Sequence, residues 1–411
     1  MSSRVLRRFA SVFGAAATTP LLCAGLVGAL GTGMTTPLLV VYLHSVRGLP
    51  LGLSAFVIAT VPLVSLGGNP LGGRLADCVG ARTTAAIGLL IAGGGTACLS
   101  AVTTVLEAVG SLGVLGLGVS LALPAQNALL SHAAAPARWQ STFAAQAMLN
   151  NVGYGAGGCL SALMIDGGQP AVFHTLYLLD GLSFVAAALL ILRSPYLRHE
   201  PPSSNGAPPS FERTPRSVLP LRNVDFRRLW LLSTMVYLCG FSQLHSGFPG
   251  FATAHAHVSG RTIGMAFVAN TFLVVLAQWP ALHVAERDQH RALSLLFLCA
   301  AAAVSVVYLS SRTSHVTSVV LVMAAPAVLA LAEALYSAIV PALVNHVSPV
   351  HLRGQYNGTF MLSGVIGNLV GPAISGLLVV SHPLLWLLVL AGSLLCVLPI
   401  LARVGTGRSK S

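Results

Sequence analysis

Charge is what this chain has least of. Only 8% of its 411 residues are Asp, Glu, Lys or Arg, against about 25% in a typical soluble domain. So few charges cannot coat a soluble globule of this size, which excludes a soluble enzyme, a nucleic-acid-binding domain and a disordered chain. Lysine is almost missing: of 22 basic side chains only Lys410 is one. Ser409 precedes it, so there is no Gly-Lys-Ser/Thr phosphate loop and no ATP hydrolysis by that route. The near-total use of arginine matches a GC-rich bacterial genome. Neither His-Glu-x-x-His nor Gly-x-Ser-x-Gly occurs, and no cluster of His, Asp and Glu suggests a metal or a cofactor. Of the seven cysteines, Cys78 falls in a predicted loop, whereas Cys23, Cys98, Cys159, Cys239, Cys299 and Cys396 fall within predicted spans. No disulfide framework is expected.

Apolar residues are abundant, at 55%. A hydrocarbon core about 30 Å thick needs about 20 of them in a helix. Twelve runs qualify, near 18–43, 50–73, 83–106, 108–131, 140–165, 172–192, 229–251, 261–284, 292–311, 317–345, 355–381 and 384–402. The runs are continuous and do not alternate, so they predict helices and not barrel strands. The first is too long for a signal-peptide core and eleven more follow, so it reads as an uncleaved span.

Arginine placement orients the spans. With the N-terminus inside, nineteen basic residues fall on the inner side and three, Arg47, Arg261 and Arg312, on the outer. That asymmetry predicts cytoplasmic termini in a bacterial cell membrane, and it accounts for the net charge of +12 through topology and anionic lipid, with no nucleic acid. Residues 194–226 hold seven of the 23 prolines and read as a flexible cytoplasmic linker. Its end, from Val218 to Trp230, is expected to lie along the membrane surface. The chain thus divides into a six-helix bundle at 1–193, the linker at 194–226 and a second six-helix bundle at 227–411.

The halves repeat at an offset of about 212–217 residues. Pro37 matches Pro249, Gly52 matches Gly264, Pro124 matches Pro341, Arg138 matches Arg353, and Gly153-x-x-x-Gly157 matches Gly367-x-x-x-Gly371. A parallel repeat of two bundles is a transporter signature, with the site expected between them.

After the second span, Gly73-Arg74-Leu75-Ala76-Asp77-Cys78-Val79-Gly80-Ala81-Arg82 resembles the loop signature of the major facilitator superfamily, with Cys78 in place of its first basic residue. A decayed copy stands at Glu286-Arg287-Asp288-Gln289-His290-Arg291. The resemblance covers nearly the whole chain. It implies an all-α integral membrane fold of twelve transmembrane helices in two pseudo-symmetric six-helix bundles. It also implies a cytoplasmic gate built from Gly73, Asp77, Gly80, Arg82 and Arg138, with Asp77 at the start of the eleventh helix near Gln355. Independently of the family, Gly73 permits close helix approach and an acid is favoured at a helix N-terminus. The fourth span keeps the glycines and Pro124 of the drug-efflux pattern but has Leu112 and Leu115 where that pattern has Arg and Gln. The fifth and eleventh spans, with Gly157-Gly158 and Gly371-Pro372, resemble the 12-span drug:proton antiporter branch; close packing is the other reading of the same residues.

Intramembrane acids default to function. Six of the ten acids are cytoplasmic, Glu107 and Asp166 fall in outer turns, and only Asp180 and Glu333 lie within spans. Glu333, near the middle of the tenth span, is the expected proton-coupling acid, because burial favours its protonated form. Asp180 is the second candidate, on a helix that the resemblance places away from the cavity. The same resemblance assigns to the substrate cavity Thr32 and Thr36, the i, i+4, i+8 face Gln146, Asn150 and Tyr154, the similar face Tyr237, Phe241 and His245, and Asn270, Tyr336 and Asn368. Such a cavity is polar, aromatic and almost uncharged. It suits a small-molecule substrate, a neutral or cationic organic compound such as a drug or secondary metabolite, exported from a monomer in exchange for protons. Import or facilitation of a neutral solute such as a sugar is the alternative. A polytopic enzyme or receptor is the third.

Overall fold

A computed structural model describes residues 16–164, 170–197 and 220–397. The core of the linker, Asp166, Glu200, Glu212 and the basic residues of both chain ends lie outside the described residues. What is described is helical, with no strand among the described residues.

The first helices are Thr19–Val46 (α1), Gly52–Val79 (α2), Ala81–Leu99 (α3) and Val105–Ala133 (α4). Then come Trp139–Met164 (α5) and Pro170–Arg193 (α6). Helix α7 begins as Val224–Val236, runs through a π turn at Tyr237–Phe241 and on to His245, breaks at Ser246 and resumes as Gly247–Ala254. Gly260–Arg287 (α8), Gln289–Ser310 (α9), His315–Val347 (α10), Arg353–Leu378 (α11) and Pro383–Cys396 (α12) complete the series. Nine of the described helices are long and apolar enough to cross a membrane. The other three have evident reasons to fall short. Helix α5 carries Gln140, Gln146, Asn150 and Asn151, α7 is interrupted, and α12 is short.

Local chemistry moves some boundaries from where hydropathy put them. The third span, expected to reach residue 106, stops at Leu99. Thr104 and Glu107 then form a capping box, the Thr104 hydroxyl accepting from the Glu107 N–H while Glu107 accepts from the Thr104 N–H. Glu107 therefore belongs to the first turn of α4 and not to an outer turn. Asn223 caps α7 by accepting from the N–H groups of Asp225 and Phe226, and the helix continues unbroken past Trp230. Asp288, the acid of the decayed loop copy, caps α9 through the Arg291 N–H.

The helices pack into two compact units. One comprises Met1–Leu219 with Ser348–Leu362, the other Pro220–Val347 with Ser363–Ser411. Within the first, α1 packs on α5 and α6, α2 on α4, and α3 on α4 and α6. Within the second, α8 packs on α10, and α9 on α10 and α12. The α2–α4, α3–α4 and α3–α6 pairings recur as α8–α10, α9–α10 and α9–α12, as a repeat requires. The glycine pairs correspond too: Gly157 meets the α1 backbone at Leu30, and Gly371 meets α7 at Leu238 and Ser242. Apolar side chains such as Phe56, Leu163, Val268 and Leu377 stand largely exposed on the helices, as suits a surface facing lipid.

Candidate functional site

The first unit contains a partly open cavity of about 370 Å³ lined from each of α1 to α6. All five cavity residues expected from this half line it: Thr32 and Thr36 from α1, and Gln146, Asn150 and Tyr154 from α5. The remaining wall is mostly apolar, including Leu39, Ile58, Leu115 and Phe184. Its volume falls within the range of about 300–1,000 Å³ usual for small-molecule sites.

Asp180 corrects an expectation. The resemblance placed its helix away from the cavity, yet Asp180 lines the cavity with Tyr177 and Phe184 of the same helix. Its carboxylate accepts from the Thr35 hydroxyl at 2.5 Å and from Ser183 at 3.4 Å. It is the one charged residue among those lining the cavity, where no Arg, Lys or His appears. Thr35 ends the regular part of α1. Thr36–Leu38 tighten into a 3-10 turn around Pro37, and a π turn follows at Tyr42–Val46. Proline removes one backbone donor there, and such irregular turns inside helices mark sites of conformational change.

In the second unit, Tyr237, Phe241 and Tyr336 form a ring cluster with centroids 5.3–5.5 Å apart and planes near 90°. The Tyr336 hydroxyl lies 2.7 Å from Ser233. Glu333 is half-buried, within electrostatic reach of Tyr237, and has no hydrogen-bond partner among the described residues. His245 stacks on Phe267 at 5.6 Å. Asn270 is buried and donates to the Pro326 carbonyl at 2.8 Å, a helix–helix contact. Asn368 is exposed on α11.

The loop signature has a definite geometry. Gly80 adopts φ +105°, which L side chains rarely reach, and turns the chain from α2 into α3. A Cβ on Gly73 would overlap the Gly354 carbonyl, so α2 and the start of α11 touch backbone to backbone. Asp77 accepts from the Gly354 and Gln355 N–H groups at 2.7 and 2.8 Å. Arg82 donates to the Ile191 and Leu192 carbonyls at the end of α6. The Arg138 side chain is exposed, while its repeat partner Arg353 lies over the Trp139 ring at 4.8 Å.

Several residues around these sites escaped the sequence reading. Tyr177 and Phe184 share one face of α6, at i, i+3, i+7, with Asp180, which the sequence had singled out as an intramembrane acid. Thr35 and Thr96 had no such signal, since isolated threonines are common in apolar helices.

The family model described as Major Facilitator Superfamily matches residues 21–255 and 230–410. No curated protein sequence matches. Among solved structures, the human organic anion transporter MFSD10 (TETRAN) superposes with a TM-score of 0.74 at 14% identity, covering 94% of this chain and 99% of that one. An outward-facing bacterial homologue of the iron transporter ferroportin gives 0.76 at 14% identity, covering 95% and 99%. The proton:xylose symporter XylE gives 0.69 at 14% identity, covering 94% of each. Identities this low establish the fold alone.

Proposed function

The chain belongs to the major facilitator superfamily, and from that membership we propose that it is a secondary active exporter of a moderately apolar, neutral or cationic organic compound, working by proton antiport with alternating access. Membership indicates a multi-pass membrane transporter of a small molecule, not an enzyme. The observation that carries the finer reading is the cavity of the first unit. Its walls are largely apolar, its polar groups are mostly hydroxyls and amides, and its single charged residue is an acid. Phosphates and carboxylates would meet no basic partner there, whereas a neutral or cationic amphiphile would bury apolar surface against Ile58, Leu115 and Phe184.

In this reading Glu333 is the coupling acid. It sits on a helix of apolar residues, half-buried and with no hydrogen-bond partner among the described residues. Asp77 at the start of α11 is the cytoplasmic latch. The protein acts as a monomer in the bacterial cell membrane with both termini in the cytoplasm.

The test is a panel of toxic compounds in an efflux-deficient bacterial host. Expression should raise tolerance to lipophilic cations several-fold, and a protonophore should abolish the gain. Heightened sensitivity, or tolerance indifferent to the protonophore, would overturn export or coupling respectively.

A further inference from the structure

Three polar atoms in the wall of the first unit's cavity are buried without a hydrogen-bond partner among the described residues: Asn150 Oδ1, Tyr177 OH and Thr96 Oγ1. Tyr177 and Thr96 are 2% and 1% exposed. Unsatisfied buried polar atoms are rare in folded proteins, because each forfeits its hydration. Here they stand on three different helices around one space, which also contains the Asp180 carboxyl. That convergence is the mark of a site built for something that occupies it.

The character of the occupant follows from Asp180. It is 2% exposed. The titratable groups that face it are Tyr177 on its own helix and Tyr154 on α5, with Tyr42 of α1 ring-packed behind Tyr177 at 4.8 Å. Helix α3 contributes Thr96, and neither α2 nor α4 contributes an acid or a base to the lining. A buried carboxylate with no basic side chain beside it is costly unless it carries a proton or a cation joins it, and its two hydroxyl donors offset only part of that cost. The cavity leaves room for the cation. The exposed Tyr154 side chain adds an aromatic surface to the lining, to which an organic cation is attracted. The Thr35 hydroxyl, held to Asp180 at 2.5 Å, has the Thr32 carbonyl at 3.5 Å as a second acceptor, so the carboxylate can turn towards a ligand without stranding its partner.

We propose that the first unit holds a binding site for a single organic ammonium ion, protonated or quaternary, with Asp180 as its counter-ion. Binding requires the carboxylate form, so a proton on Asp180 and the cation exclude each other, and the displaced proton passes to water. The inference rests on the transporter reading for its purpose and deepens it by naming the substrate's charge. It places the cation at Asp180, where proton and cation compete, and keeps Glu333 as a second proton site.

Equilibrium dialysis of the full chain in detergent tests it, with radiolabelled dibenzyldimethylammonium as probe, because its charge does not change with pH. Wild type should bind one equivalent, more tightly as pH rises from 6 to 8.5, by up to about tenfold per unit where the carboxyl is protonated. Asp180→Asn, which keeps an acceptor for Thr35, should bind at least about tenfold more weakly with a flat pH profile. Asp180→Glu should retain the slope, and Asp225→Asn, at the exposed start of α7, should bind like wild type. Wild-type affinity in a monodisperse Asp180→Asn variant would overturn the site, as would loss of the slope in Asp225→Asn. A flat profile or no binding in wild type overturns it whether or not any variant folds. Binding that holds while cellular export fails would reject the direction of transport and leave the site standing.

Discussion

Asp77 accepts backbone hydrogen bonds from Gly354 and Gln355 at 2.7 and 2.8 Å, so a side chain at the end of α2 caps a helix 277 residues further along the chain. The two N–H groups belong to the first turn of α11, where the helix leaves donors unsatisfied and the dipole favours a negative charge. One carboxylate thus serves both needs.

Asp77→Asn should insert normally and transport poorly. It keeps one acceptor oxygen and loses the charge, a contribution of about 0.3–1 kcal/mol when exposed and up to about 2 kcal/mol when partly buried. The measurement is transport rate per inserted molecule. An unchanged rate would reduce the loop signature to a topological element.

Thr35→Val should destabilise the protein more than Thr35→Ser. The valine deprives a buried carboxyl of its nearest donor, at a cost of about 1–3 kcal/mol, whereas serine keeps the hydroxyl. Thermal melting of the purified variants in detergent compares them. Equal melting temperatures would mean that the 2.5 Å contact to Asp180 contributes little.

The glycines of α5 should respond unequally. A Cβ on Gly157 would overlap the Leu30 carbonyl of α1, while the nearest atom to one on Gly158 is 3.9 Å away. Overpacking costs about 1–3 kcal/mol or more. Gly157→Ala should therefore lower the monodisperse fraction on size exclusion, and Gly158→Ala should leave it intact. The reverse order would argue against this packing of α1 on α5.

Glu333→Gln should abolish uphill transport driven by an imposed pH gradient in proteoliposomes while leaving downhill exchange. Full gradient-driven accumulation by the variant would remove Glu333 from coupling. Loss confined to Asp180→Asn would place cation binding and coupling together on α6.

Deleting Ser203–Pro209 should leave transport largely unchanged, because a chain of Pro-, Ser- and Asn-rich composition tolerates shortening while it still spans its ends. A deletion variant that inserts but does not transport would reveal a contact made by the linker.

The spans, the repeat and the loop signature were legible in the sequence because each is a local or additive property. Crossing a membrane depends on summed apolar transfer over about 20 residues, which a window can count. Gly80 needs its positive φ for a turn, and that need is written in the residue type. The positions of Thr32, Thr36, Gln146, Asn150 and Tyr154 could be anticipated because polar residues one or two turns apart on otherwise apolar helices share a face. What the chain alone left open was which way each helix turns. In a soluble helix the polar face marks the outside, but lipid is as apolar as a protein interior, so a shared face such as that of Tyr177, Asp180 and Phe184 on α6 does not by itself say what it meets. Packing decided that Asp180 faces a cavity, that Asn270 is engaged by the Pro326 carbonyl and that Arg353 lies over Trp139. Those assignments come from the rotation of each helix against its neighbours, where glycine contacts and a few side-chain hydrogen bonds replace the hydrophobic pattern that water would have imposed.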